Sequence, residues 1–248
     1  MGLFRRKREP VKIGRKSFLE NHGEIDKSNW DTVFSACLGK MMAIQTACGE
    51  LVVRGQDWNV DFSRGIISFG TSEYPLQFLG NEAASDNTWL WGWENINGFS
   101  ETILKVAEEA RRTGEKWGLE PLTVPEFQLD DTFQGHNLSI VACGISSEKL
   151  CYYRGPHSGG AIFVAFSGVP EEVFSPVDSM KFMNLTMQCI QNFSVDHKIF
   201  VESFLMWNGT PYEWEGEQRI IAHFDSDVQI EYEKSGENWR IQSVKSLI

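Results

Sequence analysis

Three of the nine tryptophans stand at alternate positions in Thr88-Trp89-Leu90-Trp91-Gly92-Trp93-Glu94-Asn95. Successive side chains of a strand point to opposite faces, so the three indoles share one face and Leu90 and Gly92 the other. On a helix the same residues would fan through about 200° and make no single face. The stretch therefore reads as a strand, and Gly92 leaves room for another backbone or ring to approach. Burying an indole is strongly favourable and its N–H needs only one partner. Core is expected for Trp89 and Trp93. Trp91, central and opposite no bulky neighbour, is kept as a candidate contact for a ligand or partner.

Around this strand the chain alternates helices with short strands. Ser28 with Asp31 suggests a capped helix start. Trp30, Phe34, Cys37, Leu38, Met41, Ile44 and Cys48 follow as one apolar stripe, and Gly49 closes it. Alternating runs at 58–62 and 67–69, a Pro75–Leu79 run and the tryptophan strand make a meander. Residues 80–87 read as its polar loop. Ser100 caps a second helix that Gly118 ends, and Asp130 or Asp131 opens a third. Strands are expected at 149–153 and 161–166, joined by an Arg154–Gly160 loop. Helices follow at 179–191 and 195–207, then three closing strands. The expected class is α+β: antiparallel meander sheets packed on amphipathic helices, arranged as two similar helix-plus-meander halves. The expected divisions are a basic disordered tail over 1–27, a half carrying the tryptophan strand over 28–167, and a helical pair with closing strands over 168–248.

Charge is the sharpest compositional fact. Residues 1–16 hold seven Lys/Arg and one Glu, so the rest holds 16 basic and 33 acidic residues, a net −17 within a chain of −11. An acidic body repels phosphate backbones and argues against nucleic-acid binding. The basic start reads as a solvated tail, with weak contact to an anionic membrane as its rival reading. No transmembrane segment is expected. Five cysteines in no Cys-x-x-Cys pair and five scattered histidines argue for free thiols in a reducing cytoplasm and for neither metal nor cofactor.

Candidate site residues are few. Arg154 and His157, within the glycine-rich Arg154-Gly-Pro-His-Ser-Gly-Gly160, could cradle an anion, although the segment matches no phosphate-loop spacing. Glu94 and Asn95 stand where the tryptophan strand ends in a turn. Asp196-His197 could pair as acid and base, but helix neighbours do not face one another. Asp196 better serves the helix N-terminus, with His197 on a polar face. No serine or cysteine sits in a nucleophile motif.

The tryptophan block resembles the signature of an uncharacterised bacterial domain family: Thr-Trp-Leu-Trp-x-Trp-x-Asn after a strand ending Leu79-Gly80, with a Pro-containing connector over Trp117–Pro125. The resemblance spans roughly residues 28–245, implies a single bacterial cytosolic unit and carries over no catalytic residue. The reading reached is a non-catalytic binding or interaction protein with an acidic surface and a basic protein partner. A small-ligand binder or hydrolytic enzyme, with a pocket between sheet and helices, is the alternative.

Overall fold

A computed structural model describes Leu19, residues 25–236 and residues 238–247. The basic stretch 1–16 lies outside the described residues. Of the expected 1–27 tail, Leu19 and residues 25–27 are described; Leu19 is buried in the core and Ile25 packs against it.

Helix α1 runs Trp30–Cys48. Its cap is Asn29, whose side chain accepts the Thr32 N–H, because Ser28 is engaged by the Asp26 carboxylate. Gly49 does not close it: in right-handed geometry, it leads into a π-helical turn over Gly49–Val53 that stops at Arg54, φ +50°. The predicted stripe is buried, and so are Val33, Ser35, Ala36 and Ala43. A helix buried on most sides lies between layers, and α1 packs against two further helices, Gly135–Ile145 and His197–Asn208. Together with its π turn, α1 is long and apolar enough to cross a membrane, but about half of that span is buried inside this fold.

The larger sheet has seven antiparallel strands: β1 (Trp58–Asp61), β2 (Ile66–Phe69), β3 (Ser72–Ala83), β4 (Thr88–Trp91), β5 (Glu126–Gln128), β6 (Cys151–His157) and β7 (Gly160–Phe166). The 12-residue β3 is its spine. The Leu76 N–H donates to Gly65 and the Ser167 N–H to Pro75, so β2 and β7 lie on opposite edges of β3. Further along, Gly80 pairs with Trp91 of β4 and with Phe163 of β7, just past a bulge that inserts Leu79. Residues 80–83, expected in a polar loop, are therefore strand. Arg154 to His157, expected as loop, also belong to β6, which turns at Ser158-Gly159.

Helices α2 (Lys105–Trp117) and α3 (Gly135–Ile145) cover one face of this sheet. Ser100 caps only the short 3-10 turn before α2, while Gly118, φ +70°, ends α2 as predicted. Gln134, and neither Asp130 nor Asp131, precedes the first turn of α3; Asp130 instead accepts the Thr132 and Phe133 N–H groups in a turn of its own.

The tryptophan strand ends at Trp91, and Trp93 lies in a 3-10 turn over Gly92–Glu94, so only Trp89 and Trp91 share a strand face. All three indoles are buried. Trp89 and Trp91 meet edge to face at 5.2 Å, Trp89 meets Phe163 at 5.4 Å, and the Arg111 guanidinium lies 4.5 Å from the Trp93 ring. The Trp89 ring rests directly on Gly80, where a Cβ would come within 2.3 Å of it.

The remaining residues form α4 (Ser179–Asn192), α5 (His197–Asn208) and a four-stranded meander, β8 (Tyr212–Trp214), β9 (Arg219–Ala222), β10 (Val228–Ser235) and β11 (Asn238–Ser246). Four strands form where three were expected, because the two alternatives at 212–214 and 219–224 pair with each other. Asp178 and Asp196 cap α4 and α5. His197 is buried, not on a polar face: Nδ1 accepts the Ile241 N–H of β11. Lys198 adds a second tie, its ammonium 3.8 Å from the Trp239 ring centre and hydrogen-bonded to the Glu217 carbonyl.

Candidate functional site

Adjacent polar residues inside an apolar strand must point to opposite faces, and Asn81-Glu82 in β3 does so. Glu82 faces the helices. One carboxylate oxygen accepts the Gly135 N–H at 2.8 Å, at the positive end of α3, and the other lies 3.4 Å from Arg154 Nε on β6. Two glycines permit this closeness. A Cβ on Gly135 would stand 2.4 Å from the Phe163 ring and 2.7 Å from the carboxylate. Gly160, φ +146°, brings the start of β7 against the Glu82 backbone, where a Cβ would lie 1.8 Å from the carbonyl oxygen.

Beside this pair opens a polar cleft of about 470 Å³, bounded by Glu82, Arg154, Asn87, Asp130, Asp131 and Gln134. Asn87, φ +56°, is tied across it by mutual hydrogen bonds with the Leu129 backbone. Next to the cleft, His136 Nδ1 lies 3.3 Å from the Tyr152 hydroxyl, and the His136 ring meets Phe163 edge to face. Partial desolvation of the ring, although the residue keeps an exposed edge, lowers the His136 pKa from the ordinary histidine value against the opposing Glu82 charge, with Arg154 adding a smaller push in the same direction. Burial likewise raises the Tyr152 phenol.

The five residues singled out from the sequence do not converge. Arg154 lines the polar cleft. Trp91 and Asn95 border a second cavity on the opposite face of the sheet. Trp91 is only 1% exposed, and its N–H donates to the Pro121 carbonyl at 2.9 Å, so its ring is core. Asn95, φ +50°, spends its amide on both backbone groups of Phe99. Glu94 is exposed in the 3-10 turn. His157 lies on the face opposite Arg154 and donates from Nε2 to Asn81 Oδ1 at 3.2 Å. Sequence reasoning missed Glu82 and Asn81. The signal was there: two consecutive polar residues continuing the Pro75–Gly80 apolar run.

Among the described residues no group of His, Cys, Asp or Glu side chains gathers into a metal-ligand set. The five cysteines are free and buried, and burial pushes Cys37, Cys143 and Cys189 up to about 12, so their thiolates are suppressed.

The fold and cleft define an α+β protein whose sheet carries a polar, acid-lined depression beside a helix N-terminus. The profile of a family of unknown function (DUF6882) matches residues 31–169, and the chain belongs to that family. The matched segment holds the whole seven-stranded sheet and the cleft. No curated protein and no solved structure matches the chain.

Proposed function

We propose that this chain is a non-catalytic binding protein of the bacterial cytoplasm that receives a basic segment of a protein partner at the polar cleft. The observation that carries the reading is the charge of the cleft: three carboxylates, Glu82, Asp130 and Asp131, against one guanidinium, Arg154. Glu82 is already matched by Arg154 and the α3 N-terminus, which leaves the aspartates uncompensated in a body of net −17. Such a field attracts and orients a cationic partner. The neighbouring polar groups are committed to the fold, Asp130 to its turn and Asn87 to Leu129, which suits recognition better than proton transfer.

One observation favours the second reading, a small-ligand binder or hydrolase at the same cleft: a neutral imidazole, His136, beside a carboxylate and a phenol. The two readings part in a capture experiment from host lysate. A basic protein should be recovered whose yield falls steeply between low and high salt. Asp131→Lys, at an exposed position, should cut recovery about tenfold, the effect of placing one cation at the mouth of a charged site. Salt-insensitive recovery, or equal recovery with Asp131→Lys, overturns the proposal. A retained small molecule lost on His136→Ala moves the assignment to the second reading.

A further inference from the structure

The other face of the same sheet carries a cavity of opposite character. It holds about 300 Å³, and no charged side chain lines it. Phe62, Phe78 and Phe99 form one wall: Phe62 stacks on Phe99 at 4.6 Å, and Phe78 meets both edge-on, at 5.4 and 5.3 Å. Leu90 and Ile162, each paired with Asn81 across the sheet, make the floor. Ile96, 69% exposed, stands at the rim in the loop that Asn95 pins to Phe99. The Trp58 ring lies over Gly155, the cross-strand partner of Ile162, and roofs the neighbouring part of this face.

A single polar group on that floor is pre-set. The Gly159 N–H donates to His157 Nδ1 at 3.1 Å, which places the ring proton on Nε2. Nε2–H in turn points at Asn81 Oδ1, so the amide orientation of Asn81 is fixed and its NH2 is turned away from His157. That NH2 has no partner among the described residues, and Asn81 lines the cavity. Asn95 and Asn97 also border the cavity, and an uncharged, largely apolar space with an oriented donor on its floor is the usual plan of a small-molecule site.

We propose that this cavity binds a small, neutral, flat aromatic molecule carrying one carbonyl-type acceptor, with the acceptor on Asn81 Nδ2 and the ring against the phenylalanine wall. The volume is at the lower end of small-molecule pockets, roughly 300–1,000 Å³, which limits the ligand to a single or fused ring with a short substituent. The absence of lining charge disfavours ionised ligands, which would lose their hydration without compensation. The site is independent of the acidic cleft, from which β3 and β7 separate it.

Ligand-observed NMR titration of the full chain with acetophenone tests this, with ethylbenzene as the partner that lacks the acceptor. Acetophenone should bind saturably, and about tenfold more tightly than ethylbenzene, the ratio for one hydrogen bond to an otherwise unpaired donor. Asn81→Asp keeps an oxygen for His157 and removes the N–H, so it should abolish that preference. Leu90→Trp should fill the cavity and abolish binding of both; if that variant does not fold, Ile96→Asp at the exposed rim replaces it and should weaken both. Asp131→Lys should change neither. Non-saturable binding of both molecules overturns the proposal. So does equal affinity for the two, and so does binding that survives the filling variant, or the rim variant where it replaces that one.

Discussion

Trp89→Ala should lower unfolding free energy by about 3–5 kcal/mol, the range for truncating a large buried aromatic. Trp89 is fully buried, lies on Gly80, and touches Trp91 and Phe163, so its removal opens a hole where β3, β4 and β7 join. The neighbouring backbone is held by strand pairing on both edges of β3 and can collapse into that hole only partly. A paired substitution separates packing from hydrogen bonding. Trp89 Nε1 has no partner among the described residues, whereas Trp91 Nε1 donates to Pro121. Trp89→Phe therefore loses area alone, and Trp91→Phe loses comparable area and also strands a carbonyl, adding about 1–3 kcal/mol. Urea denaturation of the three variants gives the comparison. Equal losses for the two phenylalanine variants would refute the assigned roles, and a loss below about 1 kcal/mol for Trp89→Ala would remove Trp89 from the centre of the core.

The tryptophan pattern was legible because period-two bulk has one economical solution, a strand with a covered face. Its end was not. Trp93 keeps the alternation in sequence, yet Gly92 leaves the strand for a 3-10 turn, and the indole is buried from the turn instead. The cap of α5, Asp196, was a local signal and readable as such, since an aspartate accepting the first helical N–H groups needs no tertiary context. Asn29 displaced the predicted start of α1 because Ser28 had a nearer turn partner, a competition between equally plausible local bonds, whereas Asp130 closed a turn of its own and the first N–H of α3, at Gly135, went to the distant Glu82.

The cleft was less legible than the fold because it is made by pairing at a distance. Glu82 and Arg154 are 72 residues apart and meet only because β6 and β3 both flank β7. Gly135 and Gly160 look like ordinary helix and turn glycines in sequence; their close approach to Glu82 is a tertiary fact. Arg154 and His157 were noticed as one glycine-rich segment, but three positions along a strand put them on opposite faces, one on the acidic cleft and one on the apolar cavity.

Stability should fall as pH drops through the histidine range, and His197 should account for a distinct part of the fall. A neutral imidazole has one acceptor nitrogen, and Nδ1 uses it on the Ile241 N–H at 2.9 Å; Nε2 lies 3.0 Å from Arg240 Nη1. A protonated ring has no acceptor and would face a guanidinium. Burial first, and the Arg240 charge second, hold the pKa below 6.5, against a smaller opposing effect of Asp196. The sign follows: the unfolded chain binds the proton more readily, so stability is full above the unfolded value of about 6.5 and is lost as pH falls below it. His136 is shifted the same way. The lowered carboxyl of Glu231, held by Ser243 and Arg219, loses its contribution only below the ordinary carboxyl range, in a separate window. His197→Gln keeps an acceptor for Ile241 and takes up no proton. Its unfolding free energy from urea denaturation should be near wild type, or lower by about 1 kcal/mol, at pH 7.5, and its decline toward about pH 5.5 should be visibly shallower. The same variant built with His136→Asn should flatten the window further. An unchanged slope in His197→Gln would mean that the α5–β11 contact does not depend on a neutral ring. A wild-type midpoint that stays level from pH 7.5 to 5.5 would contradict the downward shifts of both histidines.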